Sequence, residues 1–102
     1  MMTKILQLEK SCNELLSIFQ VENEQFYAKK FKKFIDLLSA IEEGGLTRDE
    51  ALGFFRDEFR ALYTPHSGLG EYFVWRDDFE TRRAINLRIK EALNSIWHEL
   101  DL

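Results

Sequence analysis

Four stretches of this chain carry apolar residues at intervals of three and four, and this spacing constrains the fold more than any other feature. Residues at that spacing share one face of an α-helix, so each stretch predicts a helix with one buried stripe. The predicted helices cover residues 3–20, 24–42, 47–64 and 79–99. A chain of 102 residues has the size of one domain. We therefore predict a single all-α domain over residues 1–102, a bundle of about four mainly antiparallel helices.

The stripe residues are the predicted core. In chain order they are Ile5, Leu8, Cys12, Leu15, Phe19, Tyr27, Phe31, Phe34, Leu38, Ile41, Leu52, Phe55, Phe59, Leu62, Ile85, Ile89, Leu93, Ile96 and Leu100. Cys12 lies within its stripe, so we interpret it as a small core residue. Gly53 lies inside the third helix and is either a point of close backbone approach or a tolerated helical glycine.

Local signals mark the start and the end of the second helix and the start of the third. Asn23 or a neighbour is predicted to cap the second helix. The pair Gly44-Gly45 supplies the positive-φ residue that commonly closes a helix. Thr47 with Glu50 three residues later matches a capping box, which predicts the start of the third helix.

Residues 63–78 form the only long stretch that does not resemble a helix. It holds the sole proline, Pro65, which predicts the end of the third helix, and a dense group of aromatic residues. Tyr72-Phe73-Val74-Trp75 has strand-like composition but no partner strand, so we expect extended chain lying across the helices with alternate side chains buried. Long connections in compact domains commonly carry function. We therefore expect this long aromatic and glycine-rich loop before the last helix to be the functional region.

Composition limits the classes of function. A formal net charge of -4 and a pI of about 5.2 argue against direct nucleic-acid binding and favour a basic partner. A single cysteine excludes an intrachain disulfide. The first residues lack a signal-peptide core and no stretch approaches the ~20 apolar residues of a membrane span. These features predict a cytoplasmic protein with no membrane contact.

The sequence offers no recognisable catalytic set. Its two histidines, His66 and His98, have neither a triad pattern nor metal-ligand spacing. Ser67-Gly68-Leu69-Gly70 could cradle a phosphate, but no strand precedes it and no P-loop lysine follows, so an ordinary turn is favoured. We therefore predict no enzyme, no cofactor and no catalytic, cofactor-binding or metal-binding residues.

Acidic and aromatic residues are concentrated around the end of the loop, a combination suited to gripping a basic protein surface. The predicted partner-binding residues are Glu71, Tyr72, Trp75, Asp77, Asp78 and Glu80. Three of them have alternative interpretations. Trp75 could be a core tryptophan, and Asp77 or Asp78 could cap the fourth helix, with Asp77 and Glu80 at capping-box spacing.

This region resembles small helical bacterial immunity proteins of contact-dependent growth inhibition systems. The resemblance lies in Ser67-Gly68-Leu69-Gly70 after a helix, in the aromatic run 72–75, and in a last helix that carries Asn86 and ends in Ile96-Trp97. It covers the second half of the chain. The resemblance implies a cytoplasmic antidote that forms a 1:1 complex with one cognate toxin domain, commonly a nuclease acting on RNA. It transfers no individual functional residue.

Two other functions fit the sequence. One is a homo-oligomeric scaffold or adaptor that uses exposed phenylalanines such as Phe54. The other is an RNA-binding protein. Its basic residues would be Lys29, Lys30, Lys32, Lys33, Arg82 and Arg83. The lysine run is interleaved with core positions, and Lys32 has Asp36 four residues on, which favours a solvated helix face instead.

Overall fold

A computed structural model describes residues 2–63 and 68–102 of the chain. Its elements are α1 (Met2–Val21), α2 (Gln25–Glu42), α3 (Arg48–Ala61), a short 3₁₀ helix (Leu69–Glu71) and α4 (Phe79–Glu99). No strand occurs in these two ranges. The all-helical fold predicted from the apolar spacing is confirmed. The predictions about Pro65, His66 and Ser67 concern residues outside the described ranges.

α1 is the central helix of the bundle. It packs against both α2 and α4, while α3 packs against α2. All five of its predicted stripe residues are buried. Cys12 is fully buried among them, and this burial raises the pKa of its thiol. The interpretation of Cys12 as a core residue is therefore confirmed.

Phenylalanine rings fill the space between α2 and α3. Phe34 and Phe55 stack with ring centroids 4.4 Å apart and planes 4° from parallel. Phe31 and Phe59 meet edge to face at 6.4 Å. The four rings are fully buried or nearly so, as is Phe19 on α1. The remaining four phenylalanines, Phe26, Phe54, Phe73 and Phe79, are exposed.

The helix ends agree with the sequence signals in two of three places. Thr47 and Glu50 form a complete capping box at the start of α3. Gly44 closes α2 with a φ of 77°. For α2, where Asn23 or a neighbour was predicted as the cap, the N-cap position is held by the neighbour Glu24, and its side chain makes no capping hydrogen bond. Asn23 instead forms the turn between α1 and α2 with a φ of 58°, a conformation that asparagine tolerates well.

Gly53 does not mark a close approach of backbones. A Cβ atom added there would meet no atom within 4 Å outside its own helix. The glycine is therefore a tolerated residue of α3, and the absence of a side chain has no packing purpose among the described residues.

Glu9 on α1 forms an unfavourable carboxylate pair with Glu42 on α2. Burial, and then the Glu42 charge, raise the pKa of Glu9 above its usual value. One Glu9 carboxylate oxygen is buried without a hydrogen-bond partner among the described residues. A raised pKa in the folded state favours folding while Glu9 is protonated, and this contribution is lost as pH rises through the raised pKa.

Replacing Glu9 with glutamine is therefore expected to stabilise the fold at neutral pH by a few tenths of a kcal/mol, roughly the size of other like-charge pairs. The gain should shrink as pH falls below the raised pKa. Urea denaturation at neutral and acidic pH measures it. Glu43→Gln, at the exposed end of α2, is the control that removes the same charge. A gain that is independent of pH would contradict the assignment.

Candidate functional site

The segment between the 3₁₀ helix and α4 runs extended over the bundle. Its side chains alternate, as predicted: Val74 is buried at 3% exposure, while Phe73 and Trp75 on either side are exposed. Tyr72 is half-buried. Trp75 is 63% exposed, so the alternative that it is a core tryptophan is wrong. Phe73 and Trp75 therefore face outward, while the Val74 side chain is buried against the bundle.

Asn86 on α4 holds this segment by its backbone. The Val74 N–H donates to Asn86 Oδ1 at 2.8 Å, and Asn86 Nδ2 donates to the Val74 carbonyl at 2.8 Å. Asn86 Nδ2 also donates to the Arg82 carbonyl, at 2.8 Å. The side-chain amide thus pairs with both the backbone donor and the backbone acceptor of Val74, as a neighbouring strand would in a sheet. The sequence predicted no such role for Asn86, which was named only as one of the features of the resemblance.

Arg76 ties the end of the segment to Glu22, in the turn that follows α1. One guanidinium nitrogen donates to Glu22 Oε1 at 3.0 Å and to the Trp75 carbonyl at 2.8 Å, and the other nitrogen pairs with Glu22 Oε2. The hydrogen bonds to Glu22 raise the pKa of Arg76. This ion pair was not predicted, because its partners are 54 residues apart in the sequence.

Arg82 packs against two exposed rings at the start of α4. Its guanidinium carbon lies 4.1 Å from the centre of the Trp75 ring and 5.3 Å from that of Phe79. The Trp75 indole N–H donates to Asp77 Oδ1 in a long hydrogen bond of 3.4 Å. Phe73, Trp75 and Phe79 form what we call the aromatic patch, and Arg82 helps to hold two of its rings in place.

The other predicted binding residues have different environments. Glu71, Asp77 and Glu80 are exposed. Tyr72 packs edge to face against Phe19 at 5.2 Å, so its ring belongs largely to the core. Burial, and then nearby carboxylates, raise the pKa of its hydroxyl.

Asp78 is the residue that caps α4. It accepts hydrogen bonds from the Thr81 N–H at 2.8 Å and from the Thr81 hydroxyl at 2.6 Å. These bonds lower the pKa of Asp78. Of the two caps that the sequence left open, Asp78 is the one used, and its partner is Thr81 rather than the Glu80 that the Asp77 spacing suggested.

No protein-family model matches the chain, and neither curated proteins nor solved structures gave a match. The immunity-protein resemblance stays a prediction. Within residues 2–63 and 68–102, no three histidine, cysteine or acidic residues cluster as a metal site. None of the described helices has the length and apolar character needed to cross a bilayer.

The lysine run on α2 is partly engaged with other side chains. Lys30 Nζ lies 3.8 Å from Glu58 Oε2 on α3 and 5.6 Å from the centre of the Phe26 ring. The described part of the chain contains no ion pair between Lys32 and Asp36, although the sequence spacing suggested one. Lys32 and its neighbour Lys33 are exposed, in line with a solvated helix face.

Proposed function

We propose that this chain is a non-catalytic, cytoplasmic immunity-type protein that binds and neutralises a cognate toxin domain. The proposed target is a basic nuclease acting on RNA, held in a 1:1 complex. The observation that carries the proposal is the aromatic patch, in which Trp75 is 63% exposed on a segment fixed to α4 and to the α1–α2 turn. Tryptophan contributes more than most residues to binding energy at protein interfaces.

The attachment of the segment favours binding. An aromatic side chain that is already ordered loses little conformational freedom when it is buried by a partner. On either side of Trp75, Val74 is hydrogen-bonded to α4 and Arg76 to the turn between α1 and α2. Phe73 and Phe79 add exposed apolar surface nearby. These features suit a preformed protein-binding surface.

Acidic residues near the aromatic patch favour a basic partner. Glu71, Asp77 and Glu80 are exposed, and the net charge of the chain is -4. A nuclease that acts on RNA presents positive charge where the phosphates of its substrate bind. Carboxylates could occupy those positions and exclude the substrate, and charge complementarity would also speed association. We propose this occlusion as the mode of inhibition.

We further propose that the helices run mainly antiparallel and that the long loop packs across one end of the bundle. Lys4 Nζ, near the start of α1, lies 3.3 Å from Asp101 Oδ2, just beyond the end of α4. This ion pair supports opposite directions for the two helices. Tyr72 contacts Phe19 near the end of α1 and Tyr27 near the start of α2. These contacts support a loop that lies over the α1–α2 turn.

The proposal is tested with the toxin domain encoded immediately upstream. Replacing Trp75 with alanine is expected to weaken the complex by about tenfold or more, since an interface tryptophan commonly contributes over 1 kcal/mol. Calorimetric titration measures the affinity and co-expression measures protection from the toxin. Phe54→Ala removes an exposed ring on α3 and is the matched control. If the unaltered chain neither binds nor protects, the proposal is wrong.

A homo-oligomeric scaffold is the second candidate, and the 55% exposure of Phe54 on α3 favours it. Sedimentation of the isolated chain separates the two proposals. A stable symmetric oligomer that Phe54→Ala dissociates would support the scaffold, whereas a monomer would remove it.

RNA binding through the α2 lysines is a weaker candidate, because the chain has a net charge of -4. It predicts an affinity for RNA that falls steeply with salt concentration. Absence of RNA binding at low salt would dismiss it.

A further inference from the structure

An open groove lies between the start of α2 and the loop. Its volume is about 600 Å³. Four aromatic rings and two carboxylates line it, and no basic side chain of the described residues does. These lining residues are Phe26, Tyr27, Tyr72, Phe73, Glu24 and Glu71. We call it the aromatic groove.

We propose that the aromatic groove receives an arginine side chain of the protein partner. The inference rests on the proposed function insofar as the ligand belongs to a protein. To the proposed function it adds the chemical group that is recognised, an arginine side chain, and a second contact area, the aromatic groove. Phe73 is shared with the aromatic patch, whereas Trp75 and Phe79 do not line the groove.

The chemistry of the walls favours a cation. The faces of aromatic rings attract cations, most strongly where water is displaced. Within this molecule Arg82 already lies 4.1 Å from the centre of the Trp75 ring. Neither Glu24 nor Glu71 forms an ion pair within the described part of the chain. An apolar occupant would remove water from these carboxylates without offering a donor, which costs free energy.

The electrostatics of the groove agree with its composition. Burial raises the pKa of the Tyr27 hydroxyl, and the negative charge of Glu24 raises it further. Burial and the Glu24 charge, in the same order, also raise the pKa of Tyr72, with a further contribution from Glu22 that the Arg76 charge opposes. The two hydroxyls therefore lie within the negative field of Glu24. A negative field disfavours the negatively charged form of a tyrosine, which is why it raises the pKa of both hydroxyls. The same field attracts a positive group that enters the groove.

Arginine suits the groove better than lysine. Its planar guanidinium is more weakly hydrated, can stack on a ring and still has donors left for carboxylates. The walls are also preformed, because Tyr72 packs at 5.2 Å on the core ring of Phe19 and at 5.8 Å on Tyr27. Phe26 in turn lies edge to face on Tyr27, at 5.3 Å. An arginine would enter with little rearrangement of these rings.

The test uses two blocked tripeptides, acetyl-Gly-Arg-Gly-amide and the same peptide with citrulline, the uncharged isostere of arginine. Proton–nitrogen NMR titration of the full chain is the measurement. The arginine peptide should shift the amides of residues 24–27 and 71–73, and citrulline should bind about fivefold more weakly or not at all. Equal shifts from both peptides, or none from arginine, would overturn the inference.

Charge-neutral variants refine the test. The double variant Glu24→Gln, Glu71→Gln should weaken arginine-peptide binding by about fivefold or more, since both carboxylates are removed while the rings remain. Glu43→Gln, at the far end of α2, should leave it unchanged. Equal loss in the control would mean that net charge alone attracts the peptide, and would overturn the inference.

The two proposals can fail separately. If the upstream toxin domain binds but the double variant leaves its affinity unchanged, the groove inference is wrong and the proposed function stands. If the arginine peptide binds in the groove but the toxin domain does not bind at all, the proposed function is wrong and the chemistry of the groove stands.

Discussion

Replacing Phe34 with alanine is expected to lower the free energy of unfolding by about 4 kcal/mol, the typical cost of removing a buried ring. Phe34 is 1% exposed and stacks on Phe55 at 4.4 Å. It also meets Phe31 edge to face at 5.1 Å and Phe59 at 6.4 Å. Its loss would leave a cavity lined by rings from two helices, which cannot collapse without moving α3 relative to α2. Urea denaturation followed by circular dichroism measures the change.

The matched control is Phe54→Ala, which removes the same ring from an exposed position next to Phe55. Its side chain is 55% exposed, so the loss should stay below about 1 kcal/mol. The double variant at Phe34 and Phe55 should be less destabilised than the sum of the two single variants by about 1 kcal/mol, the energy of a stacked aromatic pair. Similar losses for Phe34 and Phe54 would contradict the assignment of Phe34 to the core.

The helices and most of the core could be predicted because both depend on short-range patterns. A stripe at intervals of three and four needs only neighbouring residues to be recognised, and Phe31, Phe34 and Leu38 are buried as that rule requires. The capping box of Thr47 and Glu50 is equally local. Such patterns state which face of a helix is buried, and they contain no information about which other helix covers it.

The candidate site was only partly predictable, because its geometry depends on contacts between distant residues. Alternation along an extended segment places Phe73 and Trp75 on one side and Val74 on the other, but it does not tell which side faces the core. That choice follows from contacts such as those of Asn86, which is 12 residues from Val74, and of Glu22, which is 54 residues from Arg76. A polar contact between residues so far apart has no periodic signal in a single sequence.

Replacing Asn86 with leucine is expected to lower the free energy of unfolding by about 3 kcal/mol. The change keeps the branching of the side chain, although leucine is larger, and removes both hydrogen bonds to Val74, leaving a backbone donor and an acceptor without partners in a partly buried place. Asn86→Asp should also destabilise the fold, because its carboxylate can accept from the Val74 N–H but sets an oxygen against the carbonyls of Val74 and Arg82, to which Asn86 donates. Asn94→Leu, at an exposed position of α4, should change stability by less than about 0.5 kcal/mol.

Hydrogen exchange connects this prediction to function. The Val74 amide donates to Asn86, so its exchange should accelerate strongly in Asn86→Leu, whereas amides in the middle of α1 should respond only to the loss of global stability. A loosened segment would present Trp75 in many orientations, and the partner would then have to order it at a cost in affinity. We therefore expect Asn86→Leu to weaken partner binding although Asn86 need not touch the partner. Unchanged Val74 exchange in this variant would show that the segment is held by Arg76 and by burial of the Val74 side chain, and that Asn86 does not position Trp75.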